Sequence, residues 1–254
     1  MILESGIFLL GLALVCEYVD STLGMGYGTT LTPILLIVGF DPLQIVPAVL
    51  LSELLTGFFA AFAHHSAGNV DFSRDSLHLK VALLLGACSA FGAVFAVFAA
   101  LSLPQFYVKL YIGLLVAIMG LAILLKRHFK DSFSWKRIAG LGILAAFNKG
   151  ISGGGYGPLV VTGQMFSGLN GKNAIGITSL AEGFTCFAGV SLYMLTGSVA
   201  DWQLAPYLIA GAVLSVPLSA LTLKKIQEAR LTVFIGIITL LLGLVTIAKN
   251  LNLF

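Results

Sequence analysis

Long apolar stretches separated by short polar breaks make up the whole chain. The apolar segments run approximately over Ile2–Val19, Thr29–Phe40, Leu43–Ala63, Leu79–Leu101, Phe106–Leu125, Trp135–Phe147, Pro158–Leu169, Ala174–Leu195, Leu204–Leu223 and Leu231–Ala248. A helix needs about 20 apolar residues to cross the hydrocarbon core, so the longer segments predict full spans. The segments that follow residues 24–28 and 153–157 have only about a dozen residues, which fits half-helices or short tilted spans. The pattern alone leaves the number of crossings between six and ten.

Composition turns this pattern into a fold class. Hydrophobic residues make up 58% of the chain and charged residues 10%, against roughly a quarter charged in a soluble domain. The mean hydropathy is +1.02. The chain reads as an all-α polytopic membrane protein with one integral membrane domain. Glu4 stands where a signal peptide would carry basic residues, so the first segment is expected to be retained. The net charge of +3 is small and sits mostly in loops, which gives no reason to expect a nucleic-acid partner. Cys16, Cys88 and Cys186 are odd in number, far apart and inside apolar runs, so they read as packing residues; neither a metal nor a cofactor is expected.

A glycine-rich break occurs twice, as GMGYG at Gly24–Gly28 and GGGYG at Gly153–Gly157. An offset of 129 residues, which lays Gly153 on Gly24, continues without gaps and pairs Gly26, Tyr27, Gly28, Gly39, Glu53, Thr56 and Gly68 with Gly155, Tyr156, Gly157, Gly168, Glu182, Thr185 and Gly197. Chance matches between apolar sequences favour Leu, Ala and Val, not glutamate, tyrosine and repeated glycine. The chain is therefore read as an internal repeat, with a first repeat over 1–125, a linker over 126–137 and a second repeat over 138–254. Each copy holds an odd number of segments, a glycine-broken pair and three further spans, so the second copy is expected to be inverted. Basic residues agree with this. Lys126, Arg127, Lys130, Lys136 and Arg137 crowd the central loop, which the positive-inside rule places in the cytoplasm. Counting outward, the loops with Arg74 and Lys80 and with Lys224, Lys225 and Arg230 fall on the same side. Their repeat partners, Thr196–Gln203 and Ser102–Gln105, hold no basic residue and fall on the other.

A backbone break at membrane depth must be satisfied by protein or by water, so a break within a span is expected to line a cavity. Glycine lets N–H groups approach a ligand, and each break opens a helix, at Thr29 and at Pro158. A helix N-terminus favours an anion by about 0.3–1 kcal/mol when exposed and up to about 2 when partly buried. Two inverted copies would aim two such termini at one midplane site, so the expected substrate is a small anion held by Gly24, Gly26, Tyr27, Gly28, Thr29, Thr30, Gly153, Gly154, Gly155, Tyr156 and Gly157. The plainer reading makes the same glycines packing residues. Glu53 and Glu182 are repeat-equivalent acids in mid-span, where a charge costs about 2.5–3.5 kcal/mol on insertion scales. They read either as proton-coupling groups facing the site or as structural hydrogen-bond donors. Ser52, Thr56, Thr178, Ser179 and Thr185 put a polar stripe beside them. Glu17, Asp20 and Lys149 precede the breaks, and Asp20 and Lys149 are repeat-equivalent. Lys149 either supplies positive charge to the substrate or pairs with an acid. His64 and His65 end a span and read as interfacial.

The glycine break leading into a short helix, the Gly39-Phe40-Asp41 loop, the long helix ending at Gly68-Asn69-Val70-Asp71, and the degenerate second copy from Gly153 to Asp201 resemble the TauE/SafE family of sulfite exporters. Met25 and Tyr27 interrupt the glycine run often seen in that family's first copy. The resemblance implies secondary transport of a small sulfur oxyanion or sulfonate, such as sulfite or sulfoacetate, in the bacterial inner (cytoplasmic) membrane. With the buried acids, the expectation is a proton-coupled transporter working by alternating access and not an enzyme. Its partners are the substrate anion, protons and the lipid bilayer, and a homodimer is left open. A passive anion channel is the nearest competing reading. Gly150-Ile151-Ser152-Gly153 also matches the GxSG pattern of rhomboid-type intramembrane serine proteases, but no histidine follows Ser152 to serve as its base.

Overall fold

The computed structural model describes residues 2–24, 26–125, 133–197, 202–223 and 228–252. Met25, Lys126, Arg127, Lys130, Asp201, Lys224, Lys225 and most of the 126–137 linker, which the sequence reading used, lie outside the described residues, as does the side chain of Arg230. Ten α-helices make up the described chain: α1 (Ile2–Leu23), α2 (Tyr27–Val38), α3 (Pro42–Ser66), α4 (Leu77–Ser102), α5 (Gln105–Leu124), α6 (Trp135–Ser152), α7 (Tyr156–Phe166), α8 (Gly171–Leu195), α9 (Ala205–Thr222) and α10 (Glu228–Asn250). Six of them, α1, α3, α4, α5, α8 and α9, are long and apolar enough to cross a membrane. Two helices run past their apolar segments into the polar centre: α1 continues beyond Val19 through Asp20, and α6 beyond Phe147 through Lys149. Lys80, read from sequence as a loop residue, lies in the first turn of α4, which starts at Leu77 behind its Ser76 cap.

The fold is apolar outside and polar inside. Phe91, Phe95 and Phe98 on α4 and Leu214, Leu218 and Leu221 on α9 recur at spacings of three and four, and all are exposed. Stripes of this size suit lipid, not water. Glu17, Ser21, Glu53, Lys149 and Glu182 are buried.

The main helix pairings among the described residues are unchanged when the two halves of the chain are exchanged. α4 packs on α6 and α8, while α9 packs on α1 and α3; α3 meets α8, and α5 meets α10. The halves are therefore interlocked. The described glycines with left-handed backbone show the same correspondence, for they form four repeat pairs: Gly24 with Gly153, Gly26 with Gly155, Gly39 with Gly168, and Gly68 with Gly197. A side chain would strain the backbone at each.

Close contacts fix the helix directions. Gly6 and Gly211 bring α1 parallel to α9 through Tyr207 and Leu10, whereas Gly113 and Gly243 bring α5 antiparallel to α10 through Ile247 and Ala117. The end of α3, the starts of α4, α6 and α8 and the end of α9 consequently share one end of the bundle, where Asn69 Nδ2 donates to Ala220 O (3.0 Å) and Asn173 Nδ2 to Asn69 O (3.0 Å). The three basic loops of the sequence reading all connect to this basic-loop end. At the opposite end Lys109 pairs with Asp41 at 3.0 Å and Lys249 Nζ donates to Ile37 O at 2.5 Å.

Candidate functional site

α3 and α8 cross antiparallel at the centre, close enough that a Cβ on Gly57 would fall 2.9 Å from Gly183 N and Ser179 O. Small residues permit such an approach between membrane helices. The crossing brings Glu53 on α3 and Glu182 on α8 to the same place, and α6 delivers Lys149 between them. Lys149 Nζ donates to Glu182 Oε1 at 2.7 Å and also contacts Glu53 Oε2. Among the described residues Lys149 is the only buried lysine or arginine, and it is 1% exposed. Its two partners are one repeat-related pair, and its own repeat equivalent, Asp20, lies beside them. Carboxylate oxygens of Asp20, Glu53 and Glu182 all lie within 4.8 Å of one another.

A cavity of about 10 Å³ opens beside this cluster, lined by Glu17, Asp20, Ser21, Glu53, Thr56, Gly57, Ala60, Ser179 and Glu182. That is room for about one water. The α3 residues follow Glu53 in the chain and Ser179 precedes Glu182, so the cavity extends from the ion cluster toward the basic-loop end. Four acids, Glu17, Asp20, Glu53 and Glu182, surround one ammonium. An unbalanced set of charges in a low-dielectric site is unfavourable by several kcal/mol per ion, so these groups are chemically poised to exchange protons or to accept a cation. Asp20, Glu53 and Glu182 have the spacing of a metal-ligand set, but the Lys149 ammonium already stands between two of them.

The glycine breaks meet as well, in a different way. Gly28 lies backbone to backbone on Gly153 and Gly154; a Cβ on Gly28 would overlap the Gly153 carbonyl, and one on Gly154 would fall 2.7 Å from Thr29 N. Gly155 N–H donates to Thr29 Oγ1 at 3.0 Å, and Gly154 N–H to Ser152 Oγ at 3.1 Å. No room is left between the breaks for even a methyl group. Gly24 packs on Val161 and Ile175, and Gly26 on Val19. Thr30 and Gly157 lie in the first turns of α2 and α7, where Thr30 N–H is held by Gly26 O at 2.8 Å.

Other expected site residues lie apart from the cavity. Tyr27 and Tyr156 are fully buried and pack into separate apolar clusters. The Tyr27 hydroxyl bonds Ser52 at 2.8 Å, and that of Tyr156 lies beside Ser89 and Thr185. The polar stripe is accordingly divided: Thr56 and Ser179 face the cavity, Thr178 is held by Gln164 Nε2 at 2.8 Å, Ser52 bonds Tyr27, and Thr185 bonds Ser89. Cys16, Cys88 and Cys186 are free thiols. His64 departs from the interfacial reading. The loop after α3 folds back over it, leaving it 0% exposed with Asn69 Nδ2 3.1 Å from its Nδ1. Sequence reasoning passed over Gly57 and Ala60, although small residues four and seven positions after Glu53 mark the face that continues to His64.

The sequence profile of the sulfite exporter TauE/SafE family matches residues 8–246. The chain belongs to this family. It is also similar to the probable membrane transporter protein YtnM of Bacillus subtilis (strain 168), with 27% identity over 239 residues that cover 89% of this chain and 77% of that protein. No solved structure matches. Family and architecture together make this a multi-pass membrane transporter.

Proposed function

We propose that the protein is a secondary active transporter that moves a small sulfur-containing anion, sulfite, sulfoacetate or another organosulfonate, across the bacterial cytoplasmic membrane with proton coupling. The observation that carries this reading is the buried Lys149 ammonium shared by Glu53 and Glu182 at the centre of the interlocked halves. An anion entering this site needs a positive partner, and Lys149 is the buried cation there. Its two carboxylates must first release it, and a carboxylate releases an ammonium when it takes up a proton. Anion binding and proton uptake at Glu53 and Glu182 are thereby one event.

The exchange of packing partners between α1–α5 and α6–α10 supports two inverted repeats, 1–125 and 138–254, that rock about the central site. The glycine breaks are the surfaces that part during this motion, and their N-terminal N–H groups then become available to the anion. A cavity of about 10 Å³ is too small for a sulfonate, which favours alternating access over an open channel. The positive-inside rule puts the central loop in the cytoplasm. The test is titration of the detergent-purified protein with sulfite, sulfoacetate, taurine, sulfate and acetate by calorimetry. Selective binding of a sulfur anion is expected; binding of a neutral or cationic solute alone would refute the anion reading.

A further inference from the structure

The central ion cluster leaves two carboxylate oxygens without partners. Glu17 Oε2 and Glu53 Oε1 are buried, neither has a hydrogen-bond partner among the described residues, and both residues line the same cavity. Glu17 is 2% exposed and Glu53 3%. Their other oxygens are committed, Glu17 Oε1 accepting from Ser21 Oγ at 2.6 Å and Glu53 Oε2 facing Lys149. A buried water needs two to four polar partners, and a cavity of one-water size lined by Glu17 and Glu53, each with an unpartnered oxygen, and by Thr56 and Ser179 offers them.

We propose that Glu17 is the carboxyl that exchanges protons with the basic-loop end and passes them to Glu53 through a single water in this cavity. The inference rests on the proton-coupled reading above and adds a proton donor to it. In the transfer, Glu17 gives its Oε2 proton to the water, and the water gives one of its own to Glu53 Oε1. Glu17 is left a carboxylate, Glu53 a neutral acid, and the water unchanged. Lys149 then keeps Glu182 and is free to accept an anion in place of Glu53.

The surroundings of Glu17 fit this role. Asp20 and Cys16 face it from its own helix, Tyr27 comes from α2, Glu53 from α3, Glu182 from α8 and Lys149 from α6. His64 lies against the Ser21 backbone at the basic-loop side of the cavity. Because Asn69 Nδ2 also donates to Ala220 O, its amide orientation is fixed and it presents N–H to His64 Nδ1, which is therefore an acceptor. His64 stands outside the cavity lining, and Glu17 is the acid besides Glu53 that lines the cavity with a buried, unpartnered oxygen.

The test uses the full-length protein and Glu17→Gln, which keeps an acceptor for Ser21, with Glu17→Asp as a second variant. Infrared difference spectra of the purified protein on acidification, without substrate, are expected to show a carboxylic-acid band that disappears in Glu17→Gln and persists, shifted, in Glu17→Asp. In proteoliposomes carrying a pH dye, sulfoacetate-driven proton movement in Glu17→Gln is expected to fall by roughly 10²-fold or more. An unchanged infrared band in Glu17→Gln, wild-type proton movement in that variant, or a requirement for sodium in place of the pH gradient would each overturn the proposal. If wild type binds no sulfur anion but the Glu17 band behaves as stated, the transport reading fails and the proton path stands.

Discussion

Lys149 and Glu182 form a 2.7 Å ion pair between the last turn of α6 and the middle of α8, and Glu53 of the other half reaches the same ammonium. One cation therefore joins the two halves where α3 and α8 cross. Its removal leaves two acids facing each other in a water-poor site. Lys149→Met is expected to destabilise the protein by about 3–5 kcal/mol, the effect of breaking a buried pair on one side, and to abolish anion binding. The triple variant Lys149→Met, Glu53→Gln, Glu182→Gln should regain most of the stability but none of the binding. Thermal unfolding in detergent and calorimetry read the two effects separately; a triple variant as unstable as the single one would show that the pairing does not explain the loss.

The acids give a prediction about pH. Protonating Glu53 or Glu182 frees Lys149 for substrate, so anion affinity and transport should rise as pH falls. Glu53→Gln and Glu182→Gln remove a titrating partner while keeping its shape, so each should insert, fold and show a flattened pH profile. Wild-type pH dependence in both variants would refute their role in coupling.

A third expectation concerns the breaks. Gly28→Ala and Gly154→Ala place a methyl group into the opposing backbone and are expected to destabilise by roughly 1–3 kcal/mol, as overpacking does. Gly140→Ala, whose Cβ would meet nothing within 4 Å, should stay within about ±0.5 kcal/mol. Equal melting temperatures for all three would argue against the crossing of the breaks.

Much of this architecture is legible in the sequence because lipid imposes a simple rule: apolar runs become helices, and a break needs a reason. Ten segments in the pattern correspond to ten helices among the described residues, and Gly24, Gly39, Gly68 and their partners mark left-handed turns that only glycine adopts easily. Glu53 and Glu182 stand out for the same reason, as acids in mid-span. What the pattern does not carry is which side chains meet. That Lys149 reaches both glutamates depends on how α6 passes α3 and α8. The close contact of Gly28 with Gly153 depends on the two breaks arriving at one point. The burial of His64 depends on a loop that folds back through Asn69. Each of these is fixed by packing between distant segments, which local periodicity does not encode.

The central claim is that anion binding at Lys149 and proton uptake by its carboxylates are the same event. Calorimetric titration of the purified protein with sulfoacetate in buffers of different ionisation enthalpy measures it directly, because the slope of apparent enthalpy against buffer enthalpy counts the protons exchanged. Uptake of protons on binding, with affinity rising as pH falls, is the result the proposed coupling predicts; tight binding with no proton exchange and no pH dependence would contradict it.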